Sequence, residues 1–96
     1  MGHAGRHYPN SLRKYRKRLG YSQKKAARII GVTVSQISRW EHGERSPDLI
    51  RLIQLSVLYR TSLGELYEEL FQVHKGEMEQ HFLIADKQDS ENLSND

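Results

Sequence analysis

Apolar residues recur along this chain at helical spacing, in pairs and triplets with no long run. Leu12, Tyr15, Arg16 and Leu19 stand at i, i+3, i+4 and i+7. That spacing predicts a helix opened by Pro9 and Asn10 and ended by Gly20. Ser22 is a good N-cap for a second helix, Gln23–Ile30, closed by Gly31. Thr33 caps a third, and Gln36, three residues on, makes a capping box. Gly43 ends it after Glu41 and His42. Ser46 and Pro47 are expected to start a fourth helix, with the proline in its first turn. Its inward stripe would be Leu49, Leu52, Ile53, Leu55, Ser56 and Tyr59. Ser62 with Glu65 is a second capping box, for a fifth helix running to about His74 and broken by Gly76. The patch His81-Phe82-Leu83-Ile84 fits a short strand or a helical turn equally well. Residues 87–96 are polar and read as disordered.

The expected fold is all-α: a compact five-helix domain over residues 10–75. A flexible arm, 1–9, precedes it, and an acidic, partly disordered extension, 76–96, follows. The connections between helices are short, as in a small bundle.

Charge divides the chain along the same lines. Residues 1–60 carry thirteen Lys/Arg against three Asp/Glu, a net of +10. Residues 61–96 carry two Lys against nine Asp/Glu, a net of −7. The first part attracts polyanions, which suits a nucleic-acid-binding domain with an acidic appendage. No stretch approaches the ~20 apolar residues of a membrane span, and 1–9 lacks the apolar segment of a secretory signal. There are no cysteines, so disulfides and thiolate metal sites are excluded and a cytoplasmic, nucleoid-associated protein is expected.

The informative stretch is QKKAARIIGVTVSQISRWEH, residues 23–42. Two helices joined by a tight turn need a small residue at their crossing, and Ala27 supplies it. They need a residue tolerating positive φ in the turn, and Gly31 supplies that. Ala26, Ile30, Val32, Ile37 and Trp40 fill the remaining inward positions. Leu12-Arg13-x-x-Arg16, Gly20-Tyr21-Ser22-Gln23, Gly31-Val32-Thr33, Ile37-Ser38-Arg39-Trp40-Glu41-x-Gly43 and Pro47 complete the pattern. Together these resemble the helix-turn-helix signature of the phage-repressor-like (Cro/cI, XRE) family, from about Leu12 to Leu66.

At about 100° per residue, Ile37, Trp40 and Glu41 share one side of the third helix. Ser35, Ser38, Arg39 and His42 lie on the other, with Val34 at its edge. This short, polar, basic face suits a major groove about 12 Å wide. The resemblance makes residues 34–42 the recognition helix, with Val34, Ser35, Ser38 and Arg39 at base-reading positions. Arg39 suits a bidentate pair to guanine, and phosphate is the other target open to it. Val34 suits a thymine methyl or partial packing, and the two serines suit bases, phosphates or water. Trp40 is expected in the core. Phosphate contacts are expected from Ser22, Gln23 and Lys24 at the dipole end of the second helix, from Thr33, and from His42 and Arg45 around the following loop. Glu44 departs mildly from that pattern by weakening the loop's positive field. The basic run 13–18 faces either DNA or solvent. Arg16 and Glu41, both on inward stripes, match positions where the family places a structural ion pair.

Enzymatic and metal readings find no support. His3 and His7 sit in the arm without a second ligand pair, no nucleophile stands beside a base, and no glycine-rich phosphate loop occurs. No cofactor is expected. The resemblance implies a sequence-specific double-stranded DNA-binding regulator, in the first instance a repressor, acting as a homodimer on a palindromic operator. The dimer contact is expected in Leu66, Leu70, Phe71, Val73 and Phe82 to Ile84. Two alternatives remain: an antitoxin-like autoregulator whose C-terminal segment grips a partner protein, and a protein-interaction module of bridging-factor type.

Overall fold

The computed structural model describes residues 7–91. His3 and residues 4–6 of the expected arm, and residues 92–96 of the expected tail, lie outside the described residues. Six helices follow one another: α1 (Leu12–Arg18), α2 (Gln23–Ile30), α3 (Val34–Glu41), α4 (Leu49–Tyr59), α5 (Leu63–Leu66) and α6 (Glu68–Glu91). No strand occurs among the described residues.

Local chemistry sets most of the boundaries. Ser22 Oγ accepts from Lys25 N at 2.9 Å and starts α2. Thr33 Oγ1 accepts from Gln36 N at 3.1 Å while Gln36 Oε1 accepts from Thr33 N at 2.9 Å, closing the capping box of α3. Gly31 takes φ +86°, and a Cβ there would meet nothing within 4 Å. Backbone conformation alone therefore asks for glycine at the turn between α2 and α3.

The first and fourth helices begin later than expected. Asn10 stays outside α1, where its Oδ1 accepts from Leu12 N at 3.0 Å. Pro47 lies outside α4, because Asp48 takes the N-cap and accepts from Arg51 N at 2.9 Å. A carboxylate satisfies an orphan helix N–H, whereas proline offers the end no acceptor side chain. The inward stripe of α4 also shifts. Leu55 and Tyr59 are buried, and Leu52 and Ser56 are half-buried. Leu49 and Ile53, expected inside, are 64% and 43% exposed. The segment LIRLIQLSVLY is apolar on nearly every side, so periodicity could not single out its inner face.

The largest departure follows Ser62. Its capping box forms, yet α5 ends at Leu66 and a new helix begins at Glu68. The backbone bend at Tyr67 (φ −126°, ψ 42°) lets both Leu66 and Tyr67 turn into the core. An unbroken helix would point such neighbours about 100° apart. Gly76 does not break α6, since a helical glycine costs only about 1 kcal/mol and its φ is not positive. The patch His81 to Ile84 is helical, and so are residues 87–91, which had read as disordered.

The core joins Leu12 of α1, Ala26, Ala27 and Ile30 of α2, Ile37 and Trp40 of α3, Leu55 and Tyr59 of α4, and Leu66 and Tyr67. The two fully buried alanines let α3 approach α2 closely. Two polar brackets fasten the segment before α1 to the end of α3. His7 N and Tyr8 N donate to Gly43 O at 3.2 Å, so this part of the expected arm is tied down. Asn10 Nδ2 donates to Trp40 O at 2.9 Å. No residue of α6 is buried. The radius of gyration, 18.3 Å, exceeds the ~12–13 Å of a compact chain this long, as a projecting helix requires.

Candidate nucleic-acid interface

Glu41 is the centre of the polar framework. It lies on the core side of α3 and is 5% exposed, facing Arg16 of α1 at 6%. Arg16 Nε donates to Glu41 Oε2 at 2.5 Å, and Arg16 Nη2 to Oε1 at 3.0 Å. This is a two-pronged guanidinium–carboxylate pair. The third nitrogen, Nη1, donates to Tyr21 O at 2.7 Å. Gln23 Nε2 donates to the same Glu41 Oε1 at 3.0 Å. One carboxylate thus ties α1, the start of α2 and α3 together. Its hydrogen bond holds the Arg16 guanidinium above its ordinary pKa, against the opposing pull of burial. Burial, reinforced by the Glu41 charge, likewise raises the Tyr59 phenol.

With its inner side anchored, α3 presents the other to solvent. Ser35 and Arg39 are exposed, Val34 is 42% exposed, and Ser38 is half-buried. His42 Nδ1 lies 2.7 Å from Ser38 O, in position to donate to it. Polar clefts of several hundred cubic ångströms flank this face. One, of about 360 Å³, is lined by Arg13, Arg16, Gln23, Ser38, Glu41 and His42. The other, of about 430 Å³, is lined by Gln36, Arg39, Trp40, Arg45, Ser46, Asp48 and Arg51.

The structure therefore gathers Gln23, Ser38 and His42 on one flank, and Arg39 and Arg45 on the other. Ser22, Lys24 and Thr33 border neither cleft, though all three are exposed. Ser22 and Thr33 spend their hydroxyl oxygens on capping, and Gln23 spends its amide on Glu41. What these positions leave for a ligand is chiefly backbone N–H at the start of α2.

Two cations enter the site that the sequence did not single out. Arg13 lines the first cleft one helical turn from Arg16, whose guanidinium is taken up by Glu41. Arg51 lines the second, where its Nη1 also donates to Ile30 O at 2.9 Å. Helical spacing puts Arg13 beside Arg16, whereas Arg51 is placed by tertiary packing alone.

The general profile of the helix-turn-helix family matches residues 12–66, more than half of the chain. The chain belongs to the helix-turn-helix family. The matched segment of this helix-turn-helix protein begins with α1 and ends with α5, leaving α6 outside. The same protein is 37% identical over 55 residues to the HTH-type transcriptional regulator ImmR of Bacillus subtilis (strain 168). That alignment covers 57% of this chain and 43% of ImmR, so the likeness spans less than half of the relative. No solved structure matches closely. Among the described residues, no helix is long and apolar enough to cross a membrane.

Proposed function

We propose that this helix-turn-helix protein is a cytoplasmic, sequence-specific DNA-binding transcriptional regulator, acting as a repressor, that reads the major groove with residues 34–42. The observation that carries the reading is the exposed outer face of α3, held from behind by the Arg16–Glu41–Gln23 network and flanked by two basic clefts. Arg39 reads guanine, Val34 meets a thymine methyl, and Ser35 and Ser38 contact neighbouring base edges. Phosphates lie against the start of α2, Lys24, Arg13 and His42 on one flank, and against Arg45 and Arg51 on the other. A repressor of this kind needs no more than occupancy of a promoter. The name of its relative, a transcriptional regulator, supports the same assignment.

One such domain touches few base pairs. Two copies on a palindrome, with half-sites about 34 Å apart, supply the remaining affinity, so the protein works as a homodimer on DNA. The exposed α6 also favours a second reading, in which that helix holds a partner protein while the head remains on DNA. Selection from random duplexes tests the main reading. It should return two inverted half-sites one helical turn apart, with affinity falling steeply as salt rises. Recovery of no shared sequence, with retention insensitive to salt, would overturn it.

A further inference from the structure

Two apolar faces of this chain lie uncovered, and they are on different parts of the molecule. The first is on the head. Leu49, Ile50, Ile53 and Val57 recur at i, i+3/i+4 and i+7/i+8 along the outer side of α4, each at least 43% exposed. Ile29 of α2 extends this stripe into a shallow groove of about 330 Å³. The second is on the projecting helix. Phe71, His74, Met78, Phe82 and Ala85 follow one another at three- and four-residue spacing. The first three of these, with Leu63, Leu70 and the edge of the otherwise buried Tyr67, line a groove of about 610 Å³ where α5 meets α6.

Both faces carry a cost in water. A helix apolar on nearly every side, as α4 is, belongs largely in a protein interior. A 24-residue helix that packs on the core only through half-buried Leu70 gains little from tertiary packing, which supplies most helical stability in proteins.

Charge identifies what covers them. Self-pairing of α6 would bring together two helices that each carry seven Asp/Glu against two Lys. The rim of the α4 face is basic instead. Arg28, next to Ile29, and Arg60, at the C-cap of α4, are exposed with no ion-pair partner among the described residues, against the single acid Asp48 at the N-cap. The rim of the α6 stripe is acidic on balance, with Glu68, Glu77, Glu79 and Asp86 against Lys75, which lines the groove. Opposite rims attract, and like rims repel.

We infer that the occupant of each face is a second copy of this chain: α6 of one protomer packs on the outer face of α4 of the other. The exchange is reciprocal, so a two-fold dimer makes the contact twice. It uses none of the residues assigned to DNA, so both α3 faces remain open. The inference rests on the homodimeric reading above and names the surfaces that make it.

Sedimentation of the full-length chain tests it, using Val57→Glu on the head and Phe71→Glu on the projecting helix. The parent should sediment as a dimer. Each variant should associate at least about 100-fold more weakly, as expected for a charge placed in an interface centre. An equimolar mixture of the two should form heterodimers at concentrations where either alone is monomeric. Such a pair keeps one intact junction, between the unaltered α6 of one chain and the unaltered α4 of the other. Unchanged dimerisation of Val57→Glu, a mixture that stays monomeric, or a monomeric parent would each overturn the exchange. Circular dichroism of both variants should retain the helical signal of the head, since both positions are solvent-exposed. Salt-sensitive retention on random duplex DNA should survive in Val57→Glu. If retention is absent in the parent as well, the DNA-binding reading fails, independently of how the chain dimerises.

Discussion

The head and the projecting helix of this protein are built on opposite terms. Residues 12–66 fold around a shared core, and their one buried charge cluster is satisfied on every side. In α6, twenty-four residues form a regular helix without burying one of them. The head is basic and α6 is acidic. The difference shows that regular secondary structure and tertiary function are separable here. The head fixes the pose of α3 through polar contacts in its interior. The helix behind it leaves its apolar residues on outer faces.

Removing the head's internal anchor should give the largest effect. Glu41→Gln leaves Arg16 buried without its counter-charge, which typically costs about 3–5 kcal/mol. For a domain of this size each kilocalorie lowers the melting temperature by about 4–8 °C. Thermal melting followed by circular dichroism should therefore drop by more than about 10 °C. Arg16→Met combined with Glu41→Leu should regain much of the loss, because both charges are gone. A Glu41→Gln protein that melts like the parent would show that the pair does not hold the head together.

At the junction the expected effect is smaller and of opposite sign. Tyr67 buries its hydroxyl without a hydrogen-bond partner among the described residues, and burial raises its pKa. Tyr67→Phe removes that unsatisfied group and should leave stability unchanged or raise it by up to about 1 kcal/mol. A clear loss in denaturant titration would reveal a partner for the hydroxyl. Smallest of all should be the effect of truncation after Gly76. At concentrations where the chain is monomeric, the melting temperature should stay within about 2 °C of the parent's, since surface changes rarely exceed ±0.5 kcal/mol. A large drop would mean that the distal helix supports the head, and the contrast between the two regions would collapse.

The head was readable in the sequence where single side chains decide local structure. Ser22, Thr33 with Gln36, Ser62 with Glu65, and Gly31 each fix a helix end through one or two short contacts. Reading failed where the outcome depends on distant packing. The inner face of α4 is chosen by what it packs against, and the bend at Tyr67 serves two core side chains at once. Gly76 looks like a break because a glycine's local cost is visible in sequence, while the length of helix around it is not. In the site, the phase of α3 was legible from Ile37 and Trp40. The reach of Arg13 and Arg51 into the clefts was not, and neither was the bracket from Asn10 to Trp40. Long or distant side chains acquire their neighbours only from the assembled fold.

The central claim is that the outer face of α3 reads bases while its surroundings grip the DNA backbone. Binding of the parent, Arg39→Ala and Arg45→Ala to the selected operator, to single-base variants of it and to random duplex, across a range of salt, tests this directly. Arg39→Ala should lose about 1–3 kcal/mol on the operator, little on random duplex, and its preference at one base pair. Arg45→Ala should weaken all sequences alike and reduce the salt slope by about one. If Arg39→Ala instead weakens every duplex equally and keeps the parent's preference at each base pair, Arg39 contacts phosphate and the recognition face is elsewhere.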